Sequence, residues 1–149
     1  MKNIFIGSPD ESLGYLLSRV YGLRQKKMNE ELAFVGLNYV QCNLLFGIYW
    51  LQMKGETVNQ KALINHTKLD KSVASNLLRK MADDKYVSRK EDKNDTRAKI
   101  VTLTSKGEKL AEQAMEIINR VDETFWGDYP QESTCRLFSS VLKLNSKIL

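Results

Sequence analysis

The sequence predicts a mainly α-helical protein that carries one small β-hairpin. Three observations predict it. Apolar residues recur at helical spacing in several separate stretches, most of them opened by a Ser, Thr, Asn or Asp. Strand-like alternation occurs on both sides of one polar segment, RKEDKNDTRAK, where Tyr86-Val87-Ser88 leads in and Ile100–Thr104 leads out. At 149 residues the chain is one domain-sized unit, large enough for a real core.

In chain order, Ser8-Pro9-Asp10-Glu11 reads as a helix start: Ser8 caps, Pro9 suits the first helical position and Glu11 completes a capping box. Leu13, Leu16, Leu17, Val20 and Leu23 then mark one apolar face, and the helix runs on past Met28 toward Leu32. Asn38 with Gln41 three residues later opens a second helix through about Met53. Val40, Leu44, Leu45, Ile48, Tyr49 and Leu51 make that helix apolar on most sides, as in a central buried helix ended by Gly55. Asn59 caps a short third helix with Ala62, Leu63 and Ile64 inward and His66, the only histidine, near its end.

The fourth helix, from about Asp70 to Asp84, has two faces. Val73, Ala74, Leu77, Leu78 and Met81 repeat at core spacing. Ser72, Ser75, Asn76, Arg79 and Asp83 share the other side, flanked by Lys71 and Lys80. Small hydroxyls let a helix approach a major groove closely, an amide can pair with a base edge, and cations can meet phosphates. An isolated polar helix face is ordinarily just a solvated one. The hairpin that follows changes that balance, because its tip holds Asp95-Thr96-Arg97 and then Lys99. An Arg on an exposed hairpin can enter a minor groove, where negative potential is focused, and a neighbouring Asp can hold its rotamer.

This order (helix-turn-helix, hairpin, Asp95-x-Arg97-x-Lys99, then Val101, Leu103, Thr104 and Gly107) resembles the MarR family of transcriptional regulators. Asp70, Ser72, Ser75, Leu77, Leu78 and Val87 belong to the same resemblance, which covers nearly the whole chain and is specific from about Asn59 to Gly107. It implies a winged helix-turn-helix with N- and C-terminal dimerisation helices. The DNA-reading lobe would be residues 57–107, and the dimerisation lobe residues 8–36 with 105–149. The resemblance further implies a homodimer on double-stranded DNA, a pseudo-palindromic operator, and repression relieved by a small aromatic ligand. Two reader helices would then sit about 34–36 Å apart on the duplex. In that frame Ser72, Ser75 and Asn76 choose sequence, Lys71, Arg79, Arg89 and Lys99 attract phosphates, and Arg97, held by Asp95, reads the minor groove. Tyr15, Phe46, Tyr49 and Trp50 are the candidates for a ligand cleft. The chain departs from the family at three positions. Lys68 and Lys85 stand where Gly is common, and Asn76 stands where many relatives carry Arg.

After the hairpin, the Ser105-x-x-Glu108 spacing favours Ser105 over Thr104 as the cap of a long helix striped by Leu110, Ala111, Ala114, Ile117, Ile118, Val121 and Phe125. Trp126-Gly127-Asp128-Tyr129-Pro130 breaks it, and Leu137, Phe138, Val141, Leu142 and Ile148 mark a last helix. The outer helices supply more apolar face than a small winged helix covers, which suits a dimer; an intrachain bundle is the alternative.

Charge supports the nucleic-acid reading. Residues 57–107 carry twelve Lys/Arg against six Asp/Glu, so the net charge of +5 is concentrated in the reading lobe. The apolar start Ile4-Phe5-Ile6 is too short for a signal peptide and no run is long enough to span a membrane, so a cytoplasmic protein is expected. No phosphate-cradling loop, nucleophile elbow or His/Cys cluster is present, so neither an enzyme nor a cofactor is expected. Cys42 and Cys135 are far apart and are expected to be inert, with a cysteine redox sensor as one alternative and a winged-helix protein-docking module as another.

Overall fold

The structure, a computed structural model, describes residues 8–91 and 99–145. It holds six α-helices and a two-stranded antiparallel sheet: α1 (Leu13–Leu32), α2 (Tyr39–Met53), α3 (Gln60–Thr67), α4 (Lys71–Asp83), β1 (Val87–Glu91), β2 (Lys99–Leu103), α5 (Ser105–Trp126) and α6 (Gln131–Asn145). The expected mainly α architecture with a hairpin wing is what forms.

Caps set most of the boundaries. Asn38 and Gln41 make a reciprocal capping box at α2, and Asn59 accepts from the Ala62 N–H at α3. Two starts differ from expectation. The box at Ser8 is real, but it closes only a 3₁₀ turn over Pro9–Glu11; Ser12 then caps α1 afresh. At α5 the cap is Thr104 and not Ser105, because Thr104 already belongs to the end of the wing. Its hydroxyl donates to the Lys85 carbonyl (2.6 Å) and accepts from the Gly107 N–H (3.1 Å).

The core is centred on α2, whose Leu44, Leu45 and Ile48 are fully buried. Against it pack Met28 and Leu32 of α1, Leu63 of α3, Leu78 and Met81 of α4, Val101 of β2, and Ala114 and Val121 of α5. Tyr49, expected inside, is exposed on the rim of α2. Gly47 permits the α2–α3 contact: a Cβ there would lie 2.8 Å from Leu63 Cδ1. Gly107 permits the α5–wing contact, since a Cβ there would lie 1.9 Å from the Tyr86 carbonyl oxygen.

The wing register pairs Val87 with Leu103, Arg89 with Val101 and Glu91 with Lys99. Val58, just before α3, adds a further rung by accepting from the Val101 N–H at 2.7 Å, which ties the wing to the helix-turn-helix. The Leu103 N–H donates to Gln52 Oε1, so α2 is tied to the wing as well. Lys68, closing α3, and Lys85, between α4 and β1, both adopt left-handed backbone (φ 56° and 64°). The turn geometry that usually takes Gly is therefore kept, with Lys bearing a steric cost of about 1–2 kcal/mol per residue.

The outer helices are a different matter. Along α1, the predicted stripe Leu13, Leu16, Leu17, Val20 and Leu23 is exposed, and α6 buries no residue at all.

Candidate nucleic-acid interface

The proposed reader is α4, and its start is set by Asp70. That carboxylate accepts from the Ser72 hydroxyl and from the N–H groups of Ser72 (2.7 Å) and Val73 (3.2 Å). The Ser72 hydroxyl is the chief cause, with the two amides behind it, of an Asp70 carboxyl held below the usual aspartate range. The cap's contribution is thus fully present above the usual aspartate range and is lost as pH falls from there through the lowered folded value. The bond also fixes the polarity of Ser72: its proton points at Asp70, so toward a ligand it offers lone pairs only.

Beyond the cap, Ser72, Asn76, Arg79 and Asp83 look outward and Ser75 is half-buried beside α3. Gln60 of α3 and Asp70, Lys71, Ser72, Ser75 and Asn76 enclose an open concavity of about 500 Å³. Among the described residues Lys71, Arg79 and Lys80 enter no ion pair, which leaves their charge available. One residue of the expected core stripe is out of place: Val73 is 43% exposed, on the rim beside Lys80, while Ala74, Leu78 and Met81 are buried. The buried arc of this helix is narrower than its apolar arc.

On the wing, strand parity sorts the cations. Arg89 shares a face with buried Val87 and Val101, and its Nη2 donates to Gln60 Oε1 at 3.3 Å; its Nε is buried without a partner. Arg89, expected to attract phosphates, thus also ties the wing to α3 through Gln60. Lys90, on the opposite face, is exposed, and Lys99 is exposed at the start of β2. Asp95 and Arg97 lie outside the described residues, in the stretch between the paired ends Glu91 and Lys99. Gln60 escaped notice in the sequence, where a Gln following a cap carries no signal of its own. Lys90 was signalled by the two-residue period alone.

A second feature lies between α2 and α5. Phe46 and Tyr49 face Ala111, Glu112, Met115 and Glu116 across a cleft of about 250 Å³. Trp50 and Tyr15, expected to border such a cleft, do not line it. Trp50 turns one position around the helix, where the Lys54 ammonium sits 5.1 Å over its ring. Tyr15 stands on the exposed half of α1, under the Arg19 guanidinium at 5.8 Å.

At the far end of α5, Asp122 takes a two-point ion pair from Arg24 Nε and Nη2, both at 2.8 Å, and accepts from Trp126 Nε1. Arg24 also donates to the Tyr39 hydroxyl (3.0 Å), so α1, α2 and α5 meet in one network. The Asp122 bond chiefly pushes the Arg24 guanidinium above its ordinary value, against partial burial. Cys42 is fully buried, and desolvation pushes its thiol up to about 12; Cys135 is exposed on α6.

Comparison with known proteins accords with this geometry. The chain is 28% identical over 118 residues (79% of this chain, 80% of the relative) to the uncharacterized HTH-type transcriptional regulator YdcH of Bacillus subtilis (strain 168). Among solved structures it is similar to the S. aureus MepR–DNA complex (TM-score 0.79, 22% identity, 95% of this chain and 100% of that chain). It is equally similar to CouR of Rhodococcus jostii RHA1 bound to p-coumaroyl-CoA (TM-score 0.79, 23% identity, 92% and 94%). The family model described as ArnR1-like, winged-helix domain matches residues 28–122, from the last turns of α1 to the Asp122 network. The chain belongs to that winged-helix family, and its fold is that of the MarR-type regulators which its sequence resembles.

Proposed function

We propose that the protein is a cytoplasmic, sequence-specific, double-stranded DNA-binding transcriptional repressor that acts as a homodimer. A small aromatic ligand in the α2–α5 cleft relieves repression. The observation that carries this reading is the outward face of α4. There Ser72, Ser75 and Asn76 are presented at a concave surface and flanked by the cations Lys71, Arg79 and Lys80, which enter no ion pair among the described residues. The relatives being HTH-type regulators, and MepR having been solved with DNA, support the same reading.

The homodimer rests on the uncovered apolar faces: Leu13, Leu17 and Leu23 of α1 and Leu137, Val141 and Leu142 of α6 are all exposed. Two copies burying these faces would present two α4 helices to a pseudo-palindromic operator. A cysteine switch is the weaker alternative, since the buried Cys42 thiol is pushed away from the reactive thiolate.

The test is fluorescence anisotropy on an operator found by footprinting the DNA beside the gene, repeated across salt. Affinity should fall steeply with salt, and Lys71→Ala should flatten the slope by about one unit. Asn76→Ala should cost about 1–3 kcal/mol at one base position and little on random duplex. Arg97→Ala should weaken operator binding and leave the dimer folded. Binding that ignores salt, or an Asn76→Ala loss equal on operator and random DNA, defeats the assignment.

A further inference from the structure

The α2–α5 cleft has a charge character that the proposal above leaves open. Its walls are the rings of Phe46 and Tyr49 and the thioether of Met115. Along its α5 side, Glu112 and Glu116 follow one another at i, i+4, with Asn119 next on the same ridge. Among the described residues, no Lys, Arg or His lines it. Among the described residues, neither Glu112 nor Glu116 has an ion-pair partner. The nearest basic side chain further along α5, Arg120, serves another group: with Lys27 as the chief contributor, it helps hold the Glu31 carboxyl low.

We infer that this cleft selects a small aromatic cation, an ammonium carried on one or two rings, and excludes aromatic carboxylates and phenolates. The negative ring faces of Phe46 and Tyr49 attract an ammonium, most strongly a quaternary one that no hydrogen bond need satisfy. The polarizable Met115 sulfur accepts the ligand's aromatic edge. Glu112 and Glu116, in no ion pair among the described residues, then supply two negative charges that an anion of the same shape would meet. Because both carboxylates stand at the solvent-exposed edge, each contributes modestly, and the selectivity comes from their sum with the rings.

This inference rests on the cleft being the ligand site of the proposed regulator, so its test is run first on the protein without DNA. Isothermal titration would compare benzyltrimethylammonium, neutral phenylacetamide and anionic phenylacetate. The cation should bind at least about ten-fold more tightly than either of the others. Glu112→Gln combined with Glu116→Gln should weaken the cation about three- to ten-fold and leave the amide unchanged. Glu116→Lys should reverse the preference toward phenylacetate. Equal affinity for all three probes, absence of cation binding, or indifference to the Gln pair overturns the inference. Operator anisotropy is then measured separately. Cation selectivity without operator binding keeps the inference and sinks the regulator reading, and operator binding without cation selectivity does the reverse.

Discussion

The helix-turn-helix with its wing and the outer helices were built by the same chain to opposite rules. In the first region the apolar stripes find partners at most positions: Leu63, Leu78, Met81 and Val101 are fully buried, and Val73 alone of the α4 stripe is exposed. Even the awkward turns at Lys68 and Lys85 are held left-handed by the elements around them. In the second, α6 has an apolar stripe as regular as that of α4 and buries none of it, and Leu144 is 79% exposed. Periodicity therefore says that a face will be covered and does not say by what. Where the cover lies within one chain, folding supplies it; where it lies on another copy, the pattern is an instruction for assembly.

Six substitutions test that contrast. A large effect is expected from Gly107→Ala, which places a methyl 1.9 Å from the Tyr86 carbonyl oxygen at the junction of wing and α5. Backbone must move, and urea unfolding should show a loss of about 3 kcal/mol; a loss under about 1 kcal/mol would mean that this junction is looser than its geometry.

Next, Leu78→Ala in the closed region should cost about 2–5 kcal/mol of folding stability. Leu137→Lys combined with Val141→Lys in the open region should leave the unfolding midpoint at low concentration nearly unchanged. That pair should instead convert the proposed dimer to monomer in sedimentation equilibrium. If the Lys pair stays dimeric, the contrast between the regions has been misplaced.

The smallest effect sharpens the picture. Lys68→Gly and Lys85→Gly relieve left-handed strain but add unfolded-chain entropy, so each should stabilise by about 0.5–1 kcal/mol. A thermal melt shifted downward would show that these lysine side chains make contacts worth more than the strain.

What the sequence made legible follows the same divide. The caps at Asn38, Asn59 and Asp70 were readable because their partners lie two or three residues away. The hairpin was readable from its alternation. Thr104 was passed over for Ser105 because its deciding partner, the Lys85 carbonyl, is nineteen positions distant. The Arg89 bond to Gln60 was not readable, because its partner lies twenty-nine positions away, although the parity with Val87 sets Arg89 on the inner face. Val73 and Tyr49 were assigned to the core because spacing does not state how wide a helix's buried arc is. Trp50 does not line the α2–α5 cleft for a related reason: one step around the helix from Tyr49 turns its ring by about 100°. Phe46 and Tyr49, from the same helix, line it.

The Arg24–Asp122 pair also has a mechanical consequence. It clamps one end of α5 to α1 and α2, while Gly107 seats the other end against the wing. At about 1.5 Å per residue, the fifteen residues between clamp and seat make a lever arm of roughly 22 Å. A swing of about 5° at the clamped end carries the seat through about 2 Å, which exceeds the whole span of distances at which a donor and acceptor still bond. Small angular errors at one end of this helix are therefore the difference between touching and missing at the other, and the two-point grip of a guanidinium on a carboxylate is the kind of hinge pin that resists them.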